Sequence, residues 1–301
     1  MTILVAGGTG FIGSHIIASL LAAPEGEARV RCMTRDPDRP SPWPQKVELV
    51  GGDVRDEARL DEATRGVEVV IHTVQFPNHP VEVPRRGYTY MQLDARGTRR
   101  MVKVAAANGV RRFIYLSGAG ADRNSEKGWF RAKAIAEEAV AKSGMEYVIL
   151  RPSWVYGPED RSLNKFITMI KILPFVPVIG DGTARIQPVA VYDVATVAAR
   201  AVRLEEATNR VFELGGPETL TMDEVLLTIQ RLLGVKRLLL HHPVGFMKLA
   251  TWPLQLLPTP PMSPQAVDFI TGEALVDPQP TEETFGIRFM SLEEGLGKYL
   301  G

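Results

Sequence analysis

Residues 7–13 read Gly7-Gly8-Thr9-Gly10-Phe11-Ile12-Gly13, directly after the apolar run Ile3-Leu4-Val5-Ala6 and at the head of a segment with apolar residues at Phe11, Ile12, Ile16 and Leu20. Spaced glycines alone are weak evidence. A strand, a glycine turn and an amphipathic helix in that order form the arrangement that receives a pyrophosphate. Gly7 permits the tight turn, Gly10 lets the backbone approach the phosphates, and Gly13 lets the helix lie close on the sheet. Thr9, Phe11 and Ile12 complete a helix start whose free N–H groups and positive dipole end face an anion. The plain alternative is a glycine turn that only connects strand to helix.

Outward from that turn the alternation continues. Strands are expected at Arg29–Met33, Val47–Val50, Val67–His72, Arg112–Leu116 and Tyr147–Leu150, with helices at Arg59–Thr64, Met91–Asn108 and Trp129–Ser143 between them. Strands alternating with helices in this way predict an α/β, doubly wound parallel Rossmann-type sheet over residues 1–155. Residues 156–301 are less regular. Helical spacing recurs at Leu163–Ile172, Tyr192–Leu204 and Met222–Leu233, the last opened by Thr221 as N-cap, and Val211–Leu214 has the pattern of a strand. We expect residues of about 186–234 to return to the core. Residues of about 156–185 and 238–290 are expected to form a small C-terminal substrate-side lobe.

The 301 residues carry 35 basic and 35 acidic side chains and are 45% hydrophobic. Balanced charge removes the electrostatic case for nucleic acid as a partner. The single cysteine, Cys32, cannot form an internal disulfide, and no Cys/His cluster has metal-ligand spacing, so no metal is expected and a cytoplasmic, reducing compartment is. The N-terminus lacks the basic lead and cleavage site of a signal peptide. No stretch of about 18 uncharged apolar residues predicts a transmembrane helix.

Cofactor choice is read near the end of the second strand, about 20 residues past the glycines, where NAD(H) sites use an acidic residue on the ribose hydroxyl. This sequence offers Thr34 and Arg35 there, a neutral residue and a guanidinium suited to a 2′-phosphate. NADP(H) is therefore expected over NAD(H). Arg31 and Arg39 add positive charge, Asp36 argues the other way, and the alternative for Arg35 is a solvated loop residue. Asp53 and Val54 are candidates for the adenine contact, with Asp53 as a helix N-cap the competing role. His72, Thr73 and Val74 end the fourth strand, where a loop passes over the pyrophosphate and ribose; a structural hydrogen bond is the competing role for His72.

Gly7–Gly13, Asp53-Val54, Tyr115-Leu116-Ser117, Lys133 and Leu150–Pro158 together resemble the extended and atypical short-chain dehydrogenase/reductases, the NAD(P)-dependent epimerase/dehydratase-like proteins. The resemblance covers essentially the whole chain, and Ile186–Ala195 and Ser291–Leu296 resemble the segments where such proteins return to the core and end. Within that superfamily it resembles the atypical group that includes the NADPH-binding accessory subunit of mitochondrial complex I. The resemblance implies that Lys133 holds the nicotinamide ribose, that Ser117 orients a substrate oxygen, and that Pro152 and Val155 border the nicotinamide. It also implies a catalytic tyrosine four residues before the lysine. Trp129 stands there instead, and an indole N–H is no acid near neutral pH.

Tyr88, Tyr90 and Tyr156 are candidate replacements, each more simply a packing aromatic. Two functions stay open. One is an oxidoreductase or epimerase/dehydratase-like enzyme on an unidentified, apolar small molecule; the other is a non-catalytic NADP(H)-binding structural or regulatory protein. The apolar C-terminal lobe, with Phe246, Trp252 and Leu256 in it, suits an apolar ligand, a protein partner or a peripheral membrane contact. Family dimers imply a monomer or a homodimer paired through Met91–Asn108 and Trp129–Ser143.

Overall fold

The computed structural model describes residues 1–23, 28–43, 46–76, 79–258, 260 and 262–300. The chain runs β1 (Thr2–Ala6), α1 (Phe11–Ala22), β2 (Arg29–Thr34), β3 (Val47–Gly51), α2 (Glu57–Thr64) and β4 (Val69–His72). A π-helical stretch, Tyr90–Gly97, continues as α3 (Thr98–Ala107), followed by β5 (Arg112–Leu116), α4 (Gly128–Ala141) and β6 (Glu146–Pro152). The remainder holds β7 (Trp154–Tyr156), α5 (Leu163–Ile172), β8 (Phe175–Ile179), β9 (Arg185–Ile186), β10 (Pro188–Ala190), α6 (Val191–Arg200) and β11 (Arg210–Leu214). It ends with β12 (Leu220–Thr221), α7 (Met222–Leu232), β13 (Leu238–His242), α8 (Val244–Thr251), α9 (Pro264–Ile270), α10 (Gln279–Phe285) and α11 (Leu292–Leu300).

Among the described residues, seven strands form one parallel sheet in the order β11-β6-β5-β4-β1-β2-β3. The direction of winding reverses between β1 and β4, the switch point at which such sheets bind ligands beyond the strands' carboxyl ends. Strands covered on both faces are apolar at consecutive positions. In β1, Ile3 and Val5 pack on one face with Ile16 and Ile17 of α1 and Val194 and Ala198 of α6. Leu4 and Ala6 pack on the other, with Leu60 of α2, Met101 of α3 and Ala136 of α4.

The expected doubly wound sheet is present, and α1, β5 and α5 span the residues the spacing predicts. Thr221 caps α7 in a full capping box with Glu224. The segment expected as one helix over Met91–Asn108 differs, because its first turns are π-helical. A widened turn leaves the apolar spacing nearly intact, so periodicity does not reveal it. Its end is fixed by close approach, since a Cβ at Gly97 would lie 2.8 Å from Val54 Cγ2.

The returning segment is pinned to the sheet by Arg112, which is fully buried at the start of β5. Its guanidinium donates to Glu146 at 2.9 Å, to the carbonyls of Ala201, Val202 and Leu204, to Glu205 at 3.0 Å and to Thr208 at 2.8 Å. A further apolar core joins α5, β8 and α7 through Ile167, Ile170, Val176, Val225 and Ile229. There β8 pairs with β13 in parallel, Phe175 opposite Leu238.

Candidate functional site

The glycine turn stands at the switch point, beyond β1. Gly7 has φ +85°, and a Cβ there would sit 2.8 Å from Thr73 Oγ1 and 3.1 Å from Val74 N. At Gly13 a Cβ would lie 2.3 Å from the Gly7 carbonyl oxygen, a backbone atom with nowhere to go. Gly10 is exposed and caps α1 with no side-chain hydrogen bond, and the first turn holds no acidic residue. The N–H groups of Phe11, Ile12 and Gly13 are thus without a competing carboxylate, which suits a dinucleotide's phosphates. Thr9 is half-buried beside them.

Gly8 is the residue of this turn that spacing alone left without a role. It is buried, and a Cβ there would lie 2.7 Å from both Cys32 Sγ and Ile17 Cδ1. Burial pushes the Cys32 thiol up to about 11. Thr73 donates to the Ala6 carbonyl at 3.0 Å, fixing the loop that closes over Gly7.

At the carboxyl ends of β2 and β3, Thr34 is buried and its hydroxyl accepts from Asp36 N at 3.3 Å. Arg35 is exposed, with Nη1 3.5 Å from the Tyr88 hydroxyl. Asp53 accepts from Arg55 Nε at 2.9 Å and Nη2 at 2.6 Å, and this pairing with Arg55 holds its carboxyl below the usual range. Asp53 is not the N-cap of α2; Asp56 accepts from Ala58 N and Arg59 N there. Arg55 also lies over the Tyr88 ring at 5.7 Å, so two guanidiniums flank one phenol. Val54 is buried. Arg31 adds no charge here, because it bonds Glu48 and the carbonyls of Ala63 and Arg65.

Below the switch point lies a buried polar cluster. Lys133 is 3% exposed, and its ammonium sits 2.9 Å from Asp94 Oδ1 and 3.4 Å from the Leu116 carbonyl. Burial opposes the lysine charge, but Asp94 and Tyr115 beside it raise its pKa overall. Burial likewise raises Asp94, against the pull of Lys133, and raises Tyr115 to about 12. His72 shares a 3.1 Å hydrogen bond with Thr98 Oγ1 and stacks on Tyr115 at 5.8 Å. Burial, then the Lys133 charge, brings its imidazole down to about 3.

The other positions of the relay are also engaged. Ser117 donates to Glu137 Oε1 at 2.5 Å, and Arg151 grips the same carboxylate at 2.9 and 2.6 Å. The Ser117 hydroxyl thus bonds a side chain of α4, where the resemblance implies a substrate oxygen. Pro152 accepts from Ala119 N at 2.8 Å, and Val155 pairs with Val189. Tyr90 donates to the Pro80 carbonyl at 3.2 Å and Tyr156 to that of Ser291 at 3.2 Å. Burial raises both phenols.

Trp129 lies on the turn after β5. A Cβ at Gly118 would meet its Cζ2 at 2.6 Å. Its ring meets Phe130 at 4.7 Å and Phe269 of α9 at 5.2 Å, both edge to face. Phe269 in turn meets His79 at 5.1 Å, and His79 meets Phe76 and Tyr90. Trp129 Nε1 and His79 Nε2 are buried without a hydrogen-bond partner among the described residues.

Asp94, Thr98, Arg55, Glu137, His79 and Phe269 were not legible as site residues. Asp94 and Thr98 do carry a signal, polar residues one turn apart on an otherwise apolar helix face. Phe269 meets its partners only through tertiary packing, and Arg55, paired locally with Asp53, reaches Tyr88 only that way.

A family model described as NAD(P)H-binding matches residues 7–203. The chain is 31% identical over 233 residues to NADH dehydrogenase (ubiquinone) 1 alpha subcomplex subunit 9, mitochondrial, of Arabidopsis thaliana, spanning 73% of this chain and only 55% of that protein. It is 28% identical over 254 residues to the photosystem II assembly factor Ycf39 of Cyanophora paradoxa, spanning 83% and 74%. The structure of the NADPH-dependent quinone oxidoreductase QOR2 of Escherichia coli, complexed with NADPH, superposes with a TM-score of 0.76 at 21% identity, over 99% of this chain and 100% of that one. At that identity the likeness shows the fold alone.

Proposed function

Since the chain belongs to the NAD(P)H-binding family, within the short-chain dehydrogenase/reductase-like oxidoreductases, we propose that it is an NADP(H)-binding protein that works without its family's tyrosine-based proton relay. The glycine turn and the uncapped start of α1 would hold the pyrophosphate, with Thr73 and Val74 closing over it. Arg35 and Arg55, either side of Tyr88, would hold the 2′-phosphate, and Val54 and Asp53 would border the adenine. Pro152 and Val155 would border the nicotinamide, which supplies a hydride when bound. The observation that carries the reading is the Lys133–Asp94 ion pair, sealed from solvent beside Trp129. A lysine so held is a positioning group for the sheet end, and no side chain at 129 can exchange a proton through it. A mitochondrial relative and a photosystem assembly factor among the similar proteins agree with a structural or regulatory role in which the cofactor stabilises a partner-binding form. A cytoplasmic location remains our expectation for the chain.

A second reading has its own support. The aromatic wall of Trp129, Phe269, His79 and Tyr90 carries two buried nitrogen atoms, Trp129 Nε1 and His79 Nε2, without partners among the described residues, the kind of atoms that meet an apolar substrate's oxygen. It makes the chain a reductase whose acid is not at 129.

Two experiments divide these readings. Titration with NADPH and NADH should show tighter NADPH binding in the wild type, and Arg35→Ala or Arg55→Ala should weaken NADPH about ten- to hundredfold while leaving NADH nearly unchanged. Equal loss for both cofactors would sink the 2′-phosphate assignment. NADPH oxidation is then followed against quinones, ketones and nucleotide sugars. Turnover of any of them that is lost in His79→Phe would replace the first reading by the second.

A further inference from the structure

The C-terminal lobe carries an unusual distribution of charge. Residues 161–180 and 225–267 contain seven lysines and arginines and not one aspartate or glutamate, in a chain with 35 acidic residues. The pairing of β8 with β13 brings these two segments together. The same segments hold most of the molecule's exposed large apolar side chains. Ile172 is 70% exposed, Leu249 73%, Trp252 65% and Leu256 76%, with Phe175, Leu238, Phe246 and Leu257 also exposed. Thr251 is the buried residue of α8, with Val244, Met247 and Lys248 half-buried along the same helix, while Phe246 and Leu249 are exposed. A 3-10 turn, Trp252–Leu256, continues that surface.

The cations of these segments are largely unneutralised. Lys165, Lys171 and Lys236 are exposed and have no carboxylate partner among the described residues, and the Arg237 guanidinium donates to the carbonyls of Ile170 and Lys236. The carboxylates paired with these segments from outside are already engaged, Asp268 by Lys248 at 2.5 Å, Glu293 by Arg231 at 3.1 Å and Asp223 by His241 at 3.0 Å, and nearby Glu273 is held by Arg185 at 3.7 Å.

We infer that this face is a peripheral membrane-docking surface, with α8 and the Trp252–Leu256 turn inserted at the headgroup level of an anionic-lipid bilayer and Lys171, Lys236 and Arg237 on its phosphates. Aromatic and aliphatic side chains projecting from a short element, in segments that carry cations and no carboxylate of their own, match the chemistry of such a surface. A protein partner fits less well, since lysine is depleted from protein interfaces. No helix among the described residues is long and apolar enough to cross a membrane, so the contact is one of lying on the surface. The inference stands apart from the cofactor assignment.

Flotation of the full chain with phosphatidylcholine vesicles, with and without phosphatidylglycerol, tests it. The wild type should float with the anionic vesicles and weakly or not at all with the neutral ones. Leu249→Glu with Trp252→Glu should bind at least about tenfold less, and Lys171→Glu and Lys236→Glu about fivefold less each. All four positions are exposed, and unchanged circular dichroism and NADPH binding would confirm that the variants fold. Absence of flotation with anionic vesicles overturns the proposal, as does flotation indifferent to both sets of changes. So would a homodimer that Trp252→Glu converts to monomer, or capture of a soluble acidic protein through this face with no flotation; each would assign the surface to another occupant.

Discussion

His72 keeps a neutral imidazole where its neighbours are Tyr115, Thr98 and the Lys133 charge. In the folded chain it takes up a proton only near pH 3, against 6.5 for an exposed histidine. Between those values the unfolded chain binds a proton that the folded chain does not. The stability due to His72 is therefore complete above about pH 6.5 and is lost as the pH falls toward 3, at up to about 1.4 kcal/mol per pH unit. Urea unfolding from pH 7 to 5 should show this slope in the wild type and a shallower one in His72→Gln. Parallel slopes would mean that the ring is not held neutral. At this scale the sequence shows which residues have special backbone or charge requirements, such as Gly7, Gly13 and Arg35. It does not show where a flexible side chain turns. Ser117 ends a strand, as expected, yet its hydroxyl goes to Glu137; Lys133 is where the resemblance puts it, yet its ammonium goes to Asp94.

Elements were more legible than side chains, because each is set by a pattern summed over many residues. The glycine turn with α1 is the clearest case, and its geometry is unforgiving. A methyl at Gly13 would press on the Gly7 carbonyl and the Gly8 Cα, both backbone. Gly13→Ala should cost about 1–3 kcal/mol of stability and remove most NADPH binding, measured by thermal melting and fluorescence titration. Wild-type affinity in that variant would mean that α1 does not need its close seat. By contrast the π-helical stretch Tyr90–Gly97 before α3 escaped the sequence, because eight residues are too few for apolar spacing to tell a widened turn from an α-helical one. Asp94, the partner of Lys133, lies within that stretch.

Across the whole molecule the decisive contact is Arg112. Its six hydrogen bonds join the start of β5 to β6 and to the stretch between α6 and β11, none of which neighbours it in sequence. Arg112→Met takes the buried donor away from the carbonyls of Ala201, Val202 and Leu204 and from Thr208, while Arg111 still pairs with Glu146 at 2.6 Å, and should lower the unfolding free energy by about 1–3 kcal/mol. Arg112→Lys should rescue little, since one ammonium cannot reproduce the guanidinium's fork of donors. An unchanged urea midpoint in Arg112→Met would show that the pin is dispensable. The same contact has a consequence for the order in which the protein is made. When β6 leaves the ribosome, six of the seven sheet strands exist, but every Arg112 acceptor except Glu146 lies between Ala201 and Thr208 and is still to be synthesised. The nucleotide-binding half therefore cannot finish folding during translation of its own residues. Nascent chains arrested before residue 201 should be cut readily by protease, and those extended past β11 should resist it.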